Sequence, residues 1–414
     1  MTDATYDAFA RRILASGIIN DPWNAGAPRF REAPVFVTRA DALALARAAE
    51  AVGELHEEVC RLVSDTPDLL ESFFGLTPWQ RAMWVASEPL WHGIARADVF
   101  FTDEGLKVAE LNADTPTGEA EAVLLSELAA QDHPGAIDPN QGLADRFFAM
   151  ARLYEDRLLA GPPARRAVGL VYPTELTDDL SVIRLYRRWF EERDVEVILG
   201  SPYNLGRDAR GLTLFERPFS LLLRHYKTDW WGERQSAWDD EPIADVEPLE
   251  VPLRLALTAS MEGQAAVVNP FGAVLPQNKR CFAFFWEHLH RFSPGAQASI
   301  ERYVPITSRL EALPRERLLH EREDWVLKSD YGAEGEEVVV GRRVTEEVWE
   351  QSLVHARAGR WIAQRYFAAR EDAEGQTCNL GVYLVAGEAA GLYARLSKGP
   401  TDDKALSAPV LLRG

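Results

Sequence analysis

The sequence predicts a mixed fold of the α+β and α/β kind. Three patterns predict it: a β-hairpin over residues 96–112, a long amphipathic helix before it, and a strand–helix–strand pattern over residues 167–199. The last pattern is typical of a βαβ unit, which implies a parallel sheet. With 414 residues, of which 47% are hydrophobic and 26% charged, the chain is long enough for two or three packed lobes.

Composition and charge narrow the classes of partner. Acidic residues outnumber basic ones by 64 to 45, and a net charge of −19 disfavours binding to nucleic acid or to an anionic membrane. Cys60, Cys281 and Cys378 lack the spacing of a metal site, which favours reduced thiols and a cytoplasmic location. We expect no signal peptide and no membrane span. Small molecules are the expected substrates, and the oligomeric state stays open, with a homodimer as one alternative.

The segments before the hairpin are expected to be an irregular stretch and two helices. Pro22, Pro28 and Pro34 predict that residues 1–37 are irregular. Thr38 and Asp41 resemble a capping box at the start of a helix. Its apolar positions follow the spacing of a packed amphipathic helix and are Leu45, Ala48, Val52, Leu55, Val59 and Leu62. A further helical segment is expected near Trp79–Trp84.

The hairpin places four polar side chains on one face. A three-residue turn, Asp103-Glu104-Gly105, leaves Gly105 at a position that needs positive φ. If the turn is centred on Glu104, Asp98 lies opposite Glu110, Arg96 opposite Asn112, and Phe100 opposite Val108. Because side chains alternate along a strand, the four polar residues share a face.

Two carboxylates that face each other repel unless a cation lies between them. Carboxylate and amide oxygens are the ligands that Mg²⁺ prefers, together with phosphate oxygens. Our hypothesis is that Asp98, Glu110 and Asn112 bind Mg²⁺ that carries a nucleotide triphosphate, with Arg96 beside it. The alternative is a solvated polar face on which Arg96 neutralises one of the acids.

The loop after the hairpin leads into a helix whose N-terminus points back toward the polar face. Thr115 can cap this helix, and Pro116 suits its first turn. Free backbone N–H groups there would favour an anionic substrate group. Ordinary capping by Asp114 or Thr115 explains the same pattern without a substrate.

In the middle of the chain, strands are expected over residues 168–172 and 195–199, with a helix over residues 180–190 between them. Ligands bind at the carboxyl ends of such strands. Glu175, Asp178 and Asp179 follow the first strand and could hold a cationic amine. Acids at a helix N-terminus are also favourable without a ligand, and that simpler interpretation is preferred.

The last third contains a strand that ends in Lys328, a loop with Gly332 and Gly335, and a returning strand over residues 338–340. Such a loop can lay N–H groups over phosphates, and the lysine can neutralise their charge, although hairpin turns also use glycine. Residues 361–366 favour a strand that could form an adenine-binding edge. A final hairpin, over residues 380–396, carries Arg395. The sequence lacks Walker, dinucleotide-binding, nucleophile-elbow and zincin motifs.

Several segments, taken in order, resemble glutathionylspermidine synthase-like ATP-grasp ligases. They are R-A-D at 96–98, A-E-L-N-A-D-T-P-T at 109–117, Q-N-K-R at 277–280, W-V-L-K-S-D-Y-G-A-E-G at 325–335, R-W-I-A-Q-R-Y at 360–366 and G-L-Y-A-R-L at 391–396. The chain departs from the family pattern in the loop, where Ser329 replaces a proline and Ala333 or Glu334 replaces an arginine. We also expect no amidase domain before the ligase part.

The resemblance implies an ATP-grasp-like fold in permuted order with a pre-ATP-grasp βαβ lobe. Its expected parts are residues 1–160 with the metal-binding hairpin, a substrate lobe over residues 161–260, and an ATP-binding lobe over residues 261–414. The implied metal ligands are Asp98, Glu110 and Asn112, and the implied ATP-binding residues are Lys279, Lys328, Gly332, Gly335, Ile362, Ala363 and Gln364. Arg96 and Arg395 would be catalytic, and the loop of Asp114, Thr115 and Thr117 would lie by the carboxylate substrate. Asp178 and Asp179 are added as substrate residues from their own position, as contacts of a cationic amine.

The implied activity is an ATP-dependent carboxylate–amine ligase that uses ATP and Mg²⁺ and forms an amide through an acyl phosphate. Its expected substrates are a peptide-like or amino-acid-like carboxylate and an amine. The altered loop leaves two alternatives open: a silent nucleotide- or metabolite-binding module, and a phosphotransferase that acts on a small molecule.

Overall fold

A computed structural model describes residues 4–87, 90–163, 166–174, 179–233, 247–332, 337–356, 358–399 and 404–413. Its α-helices are α1 (Ala4–Ala15), α2 (Arg39–Asp65), α3 (Leu69–Ser72), α4 (Pro78–Val85), α5 (Glu119–Asp132), α6 (Leu143–Leu158), α7 (Leu180–Glu191), α8 (Thr228–Gly232), α9 (Glu250–Met261), α10 (Arg280–Glu287), α11 (Pro294–Tyr303), α12 (Arg315–His320) and α13 (Glu346–His355). Short 3-10 helices cover Pro202–Asn204, Phe271–Val274, Leu289–Arg291, Leu310–Ala312, Arg322–Asp324 and Gly341–Arg343.

The strands form several separate sheets. They are β1 (Trp23–Asn24), β2 (Ala27–Pro28), β3 (Val35–Thr38), β4 (Ile94–Thr102), β5 (Gly105–Asn112), β6 (Ala167–Val171), β7 (Glu196–Gly200), β8 (Leu205–Asp208), β9 (Gly211–Leu214), β10 (Arg217–Pro218), β11 (Leu221–Arg224), β12 (Ala266–Val268), β13 (Thr307–Arg309), β14 (Trp325–Ser329), β15 (Val338–Val340), β16 (Trp361–Arg365), β17 (Thr377–Val385), β18 (Glu388–Ser397), β19 (Leu406–Ala408) and β20 (Val410–Arg413). Three larger sheets have the orders β19-β18-β17-β4-β5, β12-β11-β6-β7 and β13-β16-β14-β15.

The N-terminal segment is more regular than expected. Helix α1 buries Tyr6, Phe9, Ala10 and Ile13, a spacing that gives one apolar helical face. The prolines lie after this helix, so they do not interrupt it. The prediction of an irregular stretch over residues 1–37 was therefore wrong for its first part.

The five-stranded antiparallel sheet has one apolar face and one polar face. Helix α2 covers the apolar face, where its buried residues share a core with Ala97 of β4, Val382 of β17 and Ala394 of β18. Because side chains alternate along a strand, the neighbouring residues of β4, β17 and β18 point to the other face. The polar residues of the hairpin lie there.

The predicted hairpin register is confirmed at its polar end and wrong near its turn. Asp98 pairs with Glu110 and Arg96 pairs with Asn112, as the spacing predicted. A register shift between Asp98 and Val99 then brings Phe100 opposite Lys107 instead of Val108. Gly105 has φ +111°, as expected, but it pairs directly with Thr102, so the loop has two residues. A bulge cannot be read from strand spacing, because the extra residue leaves the alternation on either side intact.

The predicted βαβ unit is confirmed. Strands β6 and β7 pair in parallel, α7 connects them, and β11 and β12 continue the sheet in parallel. His225 directly follows β11, and Asn269 directly follows β12, so polar side chains gather at the carboxyl edge of this sheet. That edge is where open α/β sheets bind ligands.

The cap of α2 allows a test of local stability. The Thr38 hydroxyl accepts the Asp41 N–H at 3.0 Å, so Thr38→Ala should lower the free energy of unfolding by about 1 kcal/mol, while Thr38→Ser should keep most of it. Denaturant unfolding monitored by circular dichroism measures both. Equal losses in the two variants would contradict the cap.

Candidate active site

Asp98 is the centre of the polar face. Its carboxylate accepts Arg96 Nε–H at 2.7 Å, Asn379 Nδ2–H at 3.1 Å and Arg395 Nη2–H at 2.6 Å. The three donors come from β4, β17 and β18, so Asp98 ties together the three central strands of the five-stranded sheet. Arg96 also donates to the Thr117 carbonyl at 2.7 Å, which attaches the loop after the hairpin to the same cluster.

Asp98 stays charged although it is only 2% exposed. Burial alone would raise the pKa of its carboxyl group, but the charges of Arg96 and Arg395 outweigh that effect and hold the pKa below its ordinary value. The cluster therefore presents an ionised carboxylate at neutral pH.

Glu110 lies beside the predicted phosphate lysines. Its Oε2 is 3.7 Å from Lys279 Nζ, and its Oε1 accepts Asn112 Nδ2–H at 3.2 Å. Lys279 also donates to the Gly332 carbonyl at 2.5 Å, so the glycine loop meets the hairpin through this lysine. Lys328 donates to the Ala109 carbonyl at 3.1 Å. The structure thus brings together two lysines that the sequence separates widely.

The pKa of Lys328 is lowered to about 8. Burial is the main cause and the positive charge of Lys279 adds to it, while Glu110 and Asp98 act in the opposite direction. Burial disfavours the charged form of this lysine. An anionic ligand would stabilise it, because a negative charge beside the ammonium group compensates the loss of water.

The cluster carries more positive than negative charge. Two carboxylates, Asp98 and Glu110, face four cationic side chains: Arg96, Arg395, Lys279 and Lys328. In the described part of the chain, no group of three or more His, Cys, Asp or Glu side chains is placed to hold a metal ion. The arrangement suits a polyphosphate that brings its own divalent cation better than a bare cation.

The residues present nevertheless fit an oxygen-ligated cation. Asn379 is 3% exposed, and its Oδ1 is buried without a hydrogen-bond partner beside Asp98. A buried acceptor of this kind is uncommon in proteins and favours the binding of a donor or a cation there. Sequence reasoning missed Asn379, although its pairing with Arg395 across the final hairpin was the signal that could have found it.

Strand β16, which was expected to form an adenine-binding edge, is an interior strand. It pairs with β13 on one side and with β14 on the other, and Ile362, Ala363 and Gln364 are buried. Their backbone groups are therefore used by the sheet, so β16 does not form an edge, and the contact of these residues with adenine stays a prediction. Gln364 Nε2 lies 3.4 Å from the Ala109 carbonyl, so the strand still borders the cluster.

The side chain of Asp114 anchors the loop that follows the hairpin. The Asp114 carboxylate pairs with Arg224, which is 0% exposed at its side chain, and accepts the Thr228 N–H at 2.6 Å and the Thr228 hydroxyl. Its side chain thus anchors the loop to the parallel sheet, and a contact with substrate stays a prediction. Thr115 and Thr117 are partly exposed, and they lie between this anchor and Arg96.

The helix after the loop begins later than predicted. Helix α5 starts at Glu119, and Gly118, with φ +90°, is the residue before it. Thr115 and Pro116 therefore do not cap or open the helix. The positive φ and the ring of Tyr393, 2.5 Å from the position of a Cβ on Gly118, explain why glycine ends the loop.

Two of the predicted site residues, Asp178 and Gly335, lie outside the described residues. Asp179 is described, and its Oδ2 is 3.2 Å from His225 Nε2. Sequence reasoning missed His225, although its place directly after a buried strand was a usable signal.

The comparisons with known proteins agree with the resemblance. Residues 242–412 match a family described as "Glutathionylspermidine synthase preATP-grasp". The matched part of the chain is similar to that family, and the fold is ATP-grasp-like. The matched residues include Lys279, Lys328 and Arg395, whereas the hairpin lies outside them. The division into three lobes stays a prediction.

One solved structure supports the same fold, and two others have lower TM-scores. A glutathione synthetase-like effector from Globodera pallida, in its apo form, has a TM-score of 0.61 at 11% identity, with 100% of this chain and 98% of that chain covered. A putative gamma-glutamylcysteine synthetase from Methylobacillus flagellatus has a TM-score of 0.48 at 15% identity, with 91% of this chain and 87% of that chain covered. An ATP-grasp RimK domain protein from Sphaerobacter thermophilus has a TM-score of 0.31 at 18% identity, with 59% of this chain and 90% of that chain covered.

A search of curated proteins finds no significant match. Among the described residues, none of the helices combines the length and the apolar character that crossing a membrane requires.

The anchor under the loop can be tested by stability. Asp114→Ala leaves Arg224 buried without its partner and should cost about 3–5 kcal/mol in the free energy of unfolding. The exposed pair of Arg187 and Glu191 is the control, since Glu191→Ala should cost no more than about 0.5 kcal/mol. Denaturant unfolding measures both, and a cost for Asp114→Ala no larger than the control would contradict the anchoring role.

Proposed function

We propose that this protein is an ATP-dependent ligase that joins a carboxylate to an amine through an acyl phosphate. One observation carries the proposal: strands β4, β5, β14 and β18 and the residue before α10 bring two acids and four cationic side chains onto one face. At the level of the family, the relation to synthetases supports an ATP-dependent carboxylate–amine ligase.

Asp98, Glu110 and Asn112 would hold Mg²⁺, which when bound neutralises charge on the phosphates of ATP. Lys279 and Lys328 would contact those phosphates as point charges. Glu110 and Lys279 form an ion pair. In this assignment the carboxylate of Glu110 would contact the magnesium ion, and the ammonium group of Lys279 would contact a phosphate.

The reaction has two chemical steps. An oxygen of the substrate carboxylate attacks the γ-phosphorus of ATP, the bond to the β-phosphate oxygen breaks, and ADP leaves. The amine nitrogen then attacks the acyl carbon, the bond from that carbon to the phosphate oxygen breaks, and inorganic phosphate leaves. Arg96 and Arg395 would stabilise the charge that spreads over the transferred group.

We expect the arginines, and not the N-terminus of α5, to bind the substrate carboxylate. Two buried acids, Glu119 and Glu121, already occupy the first turn of that helix. Their charges compensate the helix dipole, so an anionic substrate gains little there. We therefore assign the carboxylate to the side of the Thr117 loop that faces Arg96 and Arg395.

The names of the matched family and of the glutathione synthetase-like neighbour suggest two pairs for a substrate panel, glutathione with spermidine and γ-glutamylcysteine with glycine. Glutamate with cysteine completes the panel as a smaller carboxylate–amine pair. ADP release shows ATP use with each pair, and hydroxylamine converts an acyl phosphate into a hydroxamate. Hydroxamate without amide would indicate the wrong amine, and nucleotide binding without ADP release from any pair would favour the silent binding module.

The role of Arg395 is tested by Arg395→Ala. Asp98 keeps Arg96 and Asn379 as partners, so the fold should persist, while hydroxamate formation should fall by about 100-fold because a transition-state contact is lost. Arg187→Ala, on the exposed side of α7, is the matched control. Near-wild-type turnover of Arg395→Ala would count against the assignment.

The lowered pKa of Lys328 predicts a pH dependence of nucleotide binding. Lys328 is charged below its pKa of about 8, so the affinity for ATP should fall as pH rises through about 8. Titration calorimetry between pH 6.5 and 9 measures this, with Lys328→Gln as the variant that should bind weakly at every pH. An affinity of the wild type that is flat across this range would show that Lys328 does not contact the nucleotide.

A further inference from the structure

A second polar cluster lies on the far side of the Thr117–Gly118 turn from Asp98. It consists of Glu119 at the start of α5, Tyr186 of α7, His225 after β11 and Asp179 before α7. Tyr186 donates its hydroxyl to Glu119 Oε1 at 3.2 Å, and the rings of Tyr186 and His225 are 6.2 Å apart, edge to face. The proposed ligase mechanism does not use these residues.

Glu119 differs from the other buried acids of the described chain. Six acidic side chains are buried, and five of them contact an arginine: Asp98, Asp114, Glu121, Glu155 and Asp330. Glu119 is 0% exposed, its side chain accepts a hydrogen bond from the Tyr186 hydroxyl and one from its own backbone N–H, and its Oε2 is buried without a hydrogen-bond partner. An ordinary structural acid is paired, so an unpaired carboxylate oxygen in this position favours a ligand or a proton.

Burial raises the pKa of Glu119 to about 7. The groups that face it from neighbouring elements oppose this rise: the charges of His225 and of Arg96, and the hydrogen bond from Tyr186. Tyr383 of β17 is also near, and its own pKa is raised, first by burial and then by the charge of Glu119. A carboxylate that titrates close to neutral pH can both accept and release a proton under working conditions.

His225 and Asp179 form a charged pair behind Glu119. Burial would lower the pKa of His225, but Asp179 at 3.2 Å and the charges of Glu119 and Asp114 raise it above its ordinary value. The surroundings of His225 therefore favour its protonated, positively charged form. That charge favours the ionised form of Glu119 without occupying its free oxygen.

The turn connects this cluster to the proposed reaction. The Thr117 carbonyl accepts Arg96 at 2.7 Å and the Tyr383 hydroxyl at 3.0 Å, and Glu119 follows two residues later. Arg96 in turn contacts Asp98. Glu119 is therefore joined to the arginine of the first cluster through a single rigid turn.

We propose that Glu119 is the general base of amide formation, and that it takes a proton from the acceptor amine on its free oxygen Oε2. This inference rests on the proposed ligase function.

An acceptor amine is an ammonium at neutral pH and has no lone pair for attack. It passes its first proton to Glu119, its nitrogen then bonds to the acyl carbon, and its second proton leaves with the phosphate as the bond from carbon to phosphate oxygen breaks.

The test compares two nucleophiles in Glu119→Gln. Hydroxylamine is uncharged at neutral pH and needs no base, whereas spermidine, glycine and cysteine are ammonium ions. With the carboxylate and amine that the wild type accepts, Glu119→Gln should form hydroxamate at the wild-type rate but amide about 100-fold more slowly. Glu121→Gln, in the same turn but paired with Arg29, should leave the ratio of the two products unchanged.

The pH profile gives a second measurement. The amide rate of the wild type should rise with pH through about 7, and Glu119→Gln should lose that rise. Tyr186→Phe removes a hydrogen bond that lowers the pKa of Glu119, so the rise should move to higher pH while hydroxamate formation stays constant. This variant keeps the proposal testable if Glu119→Gln does not fold.

The outcomes separate the two proposals. A wild type that yields neither ADP nor hydroxamate with any pair overturns the ligase function itself. A wild type that forms hydroxamate, with a Glu119→Gln variant that loses hydroxamate and amide equally or keeps both, overturns the role of Glu119 alone.

Discussion

The structure depends on one buried carboxylate held between two guanidinium groups. Asp98 receives hydrogen bonds from Arg96 and Arg395, with Asn379 as a third donor, and these bonds connect the three central strands of the five-stranded sheet. A buried acid without such partners would be strongly destabilising, so the arginines and the acid require each other. The same hydrogen bonds keep Asp98 ionised and hold the guanidinium groups of the two arginines in position on the polar face.

Every other part of the site is positioned relative to that contact. The hairpin places Glu110 opposite Asp98. The antiparallel sheet of β14 and β16 brings Lys328 into contact with the hairpin backbone. Lys279 contacts both Glu110 and the glycine loop. Arg96 also donates a hydrogen bond to the Thr117 carbonyl, and Asp114 connects the same loop to Arg224 of the parallel sheet. The Thr117 loop is thus fixed at both ends, between the sheet with the positive cluster and the sheet with His225. That is a suitable place for two substrates that must meet.

Much of this arrangement could be predicted from the sequence, where the determining interactions are local or periodic. The pairing of Asp98 with Glu110 follows from strand alternation and the position of a turn, and the helix after Thr38 follows from a cap and an apolar spacing. The β-bulge after Asp98, the interior place of β16 and the start of α5 at Glu119 could not be predicted, because they depend on partners that are distant in the chain. The same holds for Arg224 under Asp114, for Asn379 beside Asp98 and for the unpaired oxygen of Glu119. Family resemblance supplied the order of the segments, and the structure supplied the contacts between them.

The central claim is that Asp98 and Glu110, with the lysines beside them, receive a nucleotide together with its divalent cation. A crystal structure of the protein grown with Mg²⁺ and a non-hydrolysable ATP analogue tests this most directly. The account predicts Mg²⁺ in contact with carboxylate oxygens of Asp98 and Glu110, and phosphate oxygens within hydrogen-bond distance of Lys279 and Lys328. Nucleotide bound elsewhere, or this face without metal in crystals that hold the analogue, would contradict it.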